Sequence, residues 1–112
     1  MRLLIIVLSQ VDKLNDLLER FLEVQLSGAT ILHSTCMVTE LARHIEDYPI
    51  VGPLRFLSNQ TGEASKTILL AVHEENLEKA KAAVREVVGD LSLPNTAIIL
   101  TLPIADYEGV LR

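Results

Sequence analysis

Two apolar segments near the ends of the chain constrain its fold most strongly. Leu3–Leu8 and Thr96–Leu102 are rich in Ile, Leu and Val, and each has the length of a strand rather than of a helix. Because side chains alternate between the two faces of a strand, a sheet built from these segments is hydrophobic on both sides. Any fold for this chain must therefore cover two apolar faces.

A helical pattern and a second strand follow the first apolar segment. Apolar residues recur at helical spacing over Val11–Val24, with charged residues on the opposite side, and this spacing predicts a helix packed on one face. Ser9 and Asp12 precede or open this helix and are candidate caps. The alternation over Ala29–Thr35 then predicts a second strand.

The same succession occurs again in the second half of the chain. Lys66–His73 predicts a third strand, and the apolar stripe from Leu77 to Val88 predicts a second helix that ends at Gly89. Thr96–Leu102 is the fourth strand. The order predicts one domain over residues 1–112 with a ferredoxin-like βαββαβ fold: a four-stranded antiparallel sheet with both helices on one face.

A long insertion, about Val38 to Ser65, separates the two halves. Thr39 is a candidate cap for two helical turns that reach Ile45, whereas Tyr48-Pro49 and Gly52-Pro53 interrupt regular structure. Insertions of this length are uncommon in compact domains and are often functional. We expect this insertion to carry the binding function of the protein.

The apolar second face of the sheet indicates self-association. Two helices cover one face only, and the exposed remainder would be large for a monomer. A second copy of the chain is the simplest cover, which predicts a homo-oligomer. The alternative is that the insertion or the C-terminal tail folds beneath the sheet.

Composition excludes several classes of function. A net charge of −5 argues against a nucleic-acid-binding protein, because such proteins need clustered Lys and Arg. Cys36 is the single cysteine and cannot form an internal disulfide, which favours a reducing compartment. No apolar run approaches the ~20 residues that span a membrane. We therefore expect a cytoplasmic protein without membrane insertion.

Four segments give the chain a resemblance to a known family. These segments are Gly28–Met37, Gly52–Arg55, Val87–Leu91 and Ala97–Pro103. Together with the order of strands and helices, they resemble the nitrogen regulatory PII superfamily, in particular its small PII-like members. The resemblance spans nearly the whole chain. It implies a non-catalytic signalling protein that forms a homotrimer with the sheets inside, and it implies that the insertion is the family's T-loop, which contacts a protein partner.

The resemblance also implies a ligand between subunits, which in PII proteins is an adenine nucleotide. The matching positions at the start of the T-loop and in the turn before the last strand are Thr35, Cys36, Met37, Val38, Asn95, Thr96 and Ala97. Where the family has glycines and a lysine, this chain has Cys36, Val38 and Ile98, so a different ligand in the same cleft is an open alternative. Arg55 and Lys66 are the candidates for binding an anion.

Two other functions share this fold. A metal-handling trimer resembling the divalent-cation tolerance proteins would use His33 and His73, which lie on segments predicted to be adjacent. An enzyme would need a polar residue inside an apolar cleft between helix and sheet. The sequence has no nucleophile triad, Walker loop or carboxylate pair in a recognisable context, so we predict neither a catalytic residue nor a resident metal.

Overall fold

The computed structural model describes residues 1–42 and 64–109, which form an antiparallel sheet with helices on one side. The strand order across the sheet is β2-β3-β1-β4, and every neighbouring pair is antiparallel. The strands are β1 (Arg2–Leu8), β2 (Thr30–Ser34), β3 (Ser65–Val72) and β4 (Ala97–Pro103). This order confirms the predicted ferredoxin-like fold, and the strand ends differ by at most one residue from those expected.

Each half of the chain contributes a long helix that begins with a 3-10 turn. The turn at Val11–Lys13 leads into α1 (Leu14–Glu23), and the turn at Glu74–Asn76 leads into the last helix, Leu77–Val88. A six-residue helix, α2 (Met37–Ala42), follows β2, so the last helix is α3. Both long helices lie close to their predicted positions because their apolar stripes specify which side faces the sheet.

The core lies between the two long helices and one face of the sheet. Leu4, Ile6 and Leu8 of β1 are fully buried there. Leu17 and Phe21 of α1 are also buried, with exposed fractions of at most 1%. On α3, Ala80, Ala83 and Val84 are equally buried against the same cluster. One buried layer thus joins both halves of the chain.

The opposite face of the sheet is apolar and is covered by neither long helix. Ile5 of β1 lies between Leu69 of β3 and Leu100 of β4 on this face. The exposed fractions are 60% for Ile98 and 49% for Leu100. The sequence predicted this second apolar face, and we call it the open face below.

Three predicted helix caps are wrong. Gln10 precedes the first 3-10 turn and makes no side-chain capping hydrogen bond, so neither Ser9 nor Asp12 serves as the expected N-cap. Thr39 lies inside α2, because that helix already begins at Met37. None of the described helices is long and apolar enough to span a membrane.

Candidate functional site

The predicted ligand-binding segments lie at one end of the sheet. β2 ends at Ser34, which lies opposite Ser65, the first residue of β3. β1 ends at Leu8, which lies between Lys66 of β3 and Ala97 of β4. Residues 35–38, Lys66 and residues 95–97 therefore all belong to this end. We call it the loop end, because the two strands that flank the insertion in the sequence end and begin here: β2 ends at Ser34 and β3 begins at Ser65.

Within one chain, the two main segments remain apart across the width of the sheet. Residues 35–38 follow β2 and residues 95–97 lead into β4, and these are the two outermost strands. Three strand spacings separate them, or about 14 Å. A small ligand that contacts both segments must therefore lie between two copies of the chain or bridge this width.

The segment after β2 turns directly into α2 through Cys36. The Cys36 carbonyl oxygen accepts a hydrogen bond from the Glu40 amide at 3.0 Å, and the Cys36 thiol is 3.0 Å from the hydroxyl of Thr39. Thr39 is buried, whereas Cys36 and Met37 are exposed. Thr39 thus stabilises the start of α2 from within the helix, and Met37 presents its side chain to solvent.

The turn before β4 is built by internal hydrogen bonds. Asn95 has a φ of 60°, a left-handed conformation in which glycine is common and asparagine is tolerated. The Thr96 hydroxyl donates to the Leu93 carbonyl at 2.9 Å, and the Thr96 carbonyl accepts from the Ser9 amide at 3.0 Å. Thr96 is buried, so its side chain holds the turn together instead of facing a ligand.

Asp90 shapes the beginning of the same turn. Its carboxylate accepts the Ser92 amide at 2.9 Å and the Ser92 hydroxyl at 2.7 Å. The hydroxyl and then the amide hydrogen bond stabilise the charged form and hold the pKa of Asp90 below its ordinary value. The turn is therefore fixed at both ends by side chains of its own residues.

Lys66 contacts His33 across the pair of strands that flank the insertion. The two residues lie directly opposite each other on β3 and β2, and the Lys66 ammonium contacts Nδ1 of His33. The sequence singled out Lys66 as an anion-binding candidate, but it did not connect Lys66 with His33. Their pairing depends on the register between β2 and β3. The sequence does not determine this register, because the long insertion separates the two strands.

Three hydroxyl groups form a chain of hydrogen bonds on the open face at the loop end. The Thr67 hydroxyl donates to Ser34 Oγ at 2.8 Å, and Ser34 Oγ is 2.7 Å from Ser65 Oγ. Sequence analysis did not identify this group. The single available signal was that all three are hydroxyl residues at the predicted ends of strands two and three.

The structure does not bring His33 and His73 together within one chain, so the expectation that they approach is wrong. His33 is opposite Lys66, and His73 follows β3 seven residues further along, or about 23 Å away. No group of three His, Cys, Asp or Glu side chains suited to a metal occurs in residues 1–42 and 64–109. Arg55, the other anion-binding candidate, lies outside the described residues.

An apolar groove lies beside the outer strand β2. It has a volume of about 200 Å³ and runs between α1 and β2. Its lining residues are Leu18, Phe21, Leu22, Leu26, Ser27, Ala29 and Ile31. Ser27 is the one polar residue among them, and no charged or imidazole group accompanies it. This groove has the position that the enzyme interpretation requires, and Ser27 is the polar residue within it.

Comparison with known proteins supports the fold. No protein-family model and no curated protein sequence matches the chain. The crystal structure of a functionally unknown protein from Pediococcus pentosaceus is similar, with a TM-score of 0.64 and 18% sequence identity. The similarity covers 97% of this chain and 96% of that one. At this level of identity, the two proteins share a fold.

Proposed function

We propose that the protein is a non-catalytic, ligand-sensing homotrimer of the PII type. In this proposal a small molecule binds between subunits, and the insertion at about residues 38–65 responds to it and contacts a protein partner. The observation that carries the proposal is the open face, because an apolar sheet face opposite the helices is the surface on which such a trimer assembles.

The composition of the open face supports self-association. Its largest exposed side chains are Leu32, Ile98, Leu100 and Leu102, each between 45% and 60% exposed. Burying such surface is favourable by about 25 cal/mol for each Å² of apolar area. Leu3, Ile5 and Val7 lie between the outer strands and are already partly buried, so the open face is continuous across the sheet.

The separation of the two ligand-binding segments supports a ligand between subunits. Residues 35–38 and residues 95–97 lie at the same end of the sheet but on opposite outer strands. In the proposed ring of three copies, the β2 edge of one subunit would face the β4 edge of the next. A ligand in that cleft would contact both segments. Its binding would therefore act on the residues that lead into the insertion.

Two measurements on the purified protein test this proposal. Light scattering at micromolar concentration should give three times the mass of the chain, and a monodisperse monomer would contradict the trimer. A thermal-shift panel of ATP, ADP, AMP, cyclic nucleotides, 2-oxoglutarate and bicarbonate tests for a ligand. A ligand at a hundredfold excess over its Kd stabilises the native state by about 2.7 kcal/mol.

A further inference from the structure

A second cavity lies at the end of the sheet opposite the loop end. It has a volume of about 180 Å³ and lies where the C-terminal end of α1, the end of β3 and the 3-10 turn before α3 come together. Its apolar lining includes Leu26, Leu70 and Val72, all of which are buried. Three polar residues also line the cavity: Gln25, His73 and Asn76. Apolar walls with a few convergent polar groups are typical of a ligand site.

The backbone holds these three polar residues in place while their side chains remain available. The Gln25 amide donates to the Leu22 carbonyl at 3.0 Å, and the Asn76 amide donates to the His73 carbonyl at 2.9 Å. Within residues 1–42 and 64–109, no hydrogen bond or ion pair engages the side chains of Gln25, His73 or Asn76. Asn76 is half-buried, whereas Gln25 and His73 are exposed and form the rim.

The end of β3 adds a backbone donor and acceptor to the cavity. β1 pairs with β3 as far as Val72, whereas β2 pairs with it only as far as Leu69. Successive residues of an antiparallel strand direct their N–H and C=O groups to alternate edges. One of Ala71 and Val72 therefore directs both groups to the edge that β2 leaves uncovered. No backbone hydrogen bond from the described segment 25–29 reaches either residue.

This donor and acceptor are shielded from bulk water. Val72 is 3% exposed and Ala71 is half-buried. Leaving backbone groups unpaired in such a position is unfavourable, so a ligand that pairs with them gains stability. The cavity therefore offers an N–H and a C=O side by side, as the edge of a strand does.

No fixed charge accompanies these groups. The described residues that line the cavity include no Lys, Arg, Asp or Glu. The nearest carboxylate along the chain, Glu74, is held by Arg2 at 2.7 Å. A charged ligand would lose its hydration without gaining a counter-charge, which favours an uncharged polar group.

An uncharged group with a donor beside an acceptor is a carboxamide. We propose that this cavity binds a small molecule through a carboxamide group. Its C=O accepts from the free N–H at the end of β3, and its N–H donates to the free C=O, as a neighbouring strand would. The side-chain amide of Asn76 adds a further hydrogen bond, and the apolar body of the ligand lies against Leu26 and Leu70. This binding requires one chain only and does not depend on the proposed trimer or on a ligand at the loop end.

Nuclear magnetic resonance with a matched pair of probes tests the site. Nicotinamide and sodium nicotinate share an aromatic ring and differ in carrying a carboxamide or a carboxylate. Each is titrated into the wild-type protein at constant pH and ionic strength, and the ring resonances of His73 and His33 are followed. We expect a saturable shift at His73 with nicotinamide, at least tenfold weaker binding of nicotinate, and no shift at His33.

Three variants complete the test. Asn76→Ala should weaken nicotinamide binding roughly fivefold, the loss of one hydrogen bond. Gln25→Gly suits the φ of 65° at this position and reports whether the rim contributes; it should weaken binding by no more than Asn76→Ala does. Asn15→Ala, at an exposed asparagine of α1 outside the cavity, is the matched control and should leave the affinity unchanged.

Three outcomes would overturn the site. They are the absence of a saturable shift at His73 with nicotinamide, equal shifts at His73 and His33, and nicotinate binding as tightly as nicotinamide. The last result would indicate an anion site instead of a carboxamide site.

Discussion

Leu100 lies directly opposite Ile5 across the β1–β4 pair, and both side chains project from the sheet face that the helices leave uncovered. Leu100 is 49% exposed, whereas Ile5 is partly buried by its neighbours. This pairing places a large aliphatic group on an outer strand where a monomer would expose it to water. It also provides the most direct test of self-association.

Replacing Leu100 with lysine should dissociate the assembly. A charge at this position would have to be desolvated when a second copy covers the open face, and burying an unpaired charge is strongly unfavourable. Light scattering should then report a mass close to that of one chain. Thr101→Lys is the matched control, because Thr101 is exposed and points to the other side of the same strand. Equal masses for both variants and the wild type would contradict this use of the open face.

Phe21 should contribute more to stability than any exposed residue of α1. Its ring is 1% exposed and belongs to the core cluster between the helices and the sheet. Phe21→Ala removes this apolar surface and leaves a cavity, so the free energy of unfolding should fall by about 3–5 kcal/mol. Urea denaturation followed by circular dichroism measures the change. Leu22→Ala is the control: Leu22 is 64% exposed, so its replacement should cost far less.

The fold was predictable because alternation and helical spacing each specify which side of an element is buried. Leu4 and Ile6 face the helices while Leu3 and Ile5 face away, as the apolar run of β1 indicated. Gly89 ends α3 as expected. These features depend on residues that are near one another in the sequence.

The arrangement of the loop end was less predictable, because it depends on contacts between distant residues. The register that places Lys66 beside His33 spans the long insertion, and no local pattern determines it. The same register joins Thr67 to Ser34. The start of α2 differs from prediction: the helix begins at Met37, so Thr39 lies inside it, and the Thr39 hydroxyl contacts the Cys36 thiol just before the helix.

Gly89 should resist substitution for conformational reasons alone. Its φ of 94° and ψ of −146° belong to a region that side chains other than glycine rarely adopt, while its amide bonds to the Arg85 carbonyl at 2.9 Å. A Cβ at this position would meet no atom within 4 Å. Gly89→Ala should therefore lower the free energy of unfolding by roughly 1–3 kcal/mol through backbone strain, without steric overlap.

Thermal and urea denaturation of Gly89→Ala measure this cost. Ser92→Ala is a useful comparison, because it places alanine three residues later and removes one hydroxyl hydrogen bond to Asp90 without requiring a positive φ. A Gly89→Ala protein as stable as the wild type would show that the end of α3 adopts another conformation.

The Asp90 carboxylate should make stability depend on pH in the acidic range. Hydrogen bonds from the Ser92 hydroxyl and the Ser92 amide hold its pKa below the ordinary value, so the folded protein binds this proton more weakly than the unfolded chain. The resulting stabilisation is fully present above the unfolded-state pKa. It is lost as the pH falls through the lower pKa of the folded state.

Replacing Asp90 with alanine should therefore lower Tm at neutral pH and have progressively less effect as the solution is acidified. Differential scanning calorimetry of the wild type and Asp90→Ala from neutral to strongly acidic pH measures the difference between their Tm values. Ser92→Ala should show a smaller difference of the same sign, because the amide hydrogen bond remains. A Tm difference that is constant across the acidic range would mean that the carboxylate charge does not stabilise this turn, and that its effect is conformational.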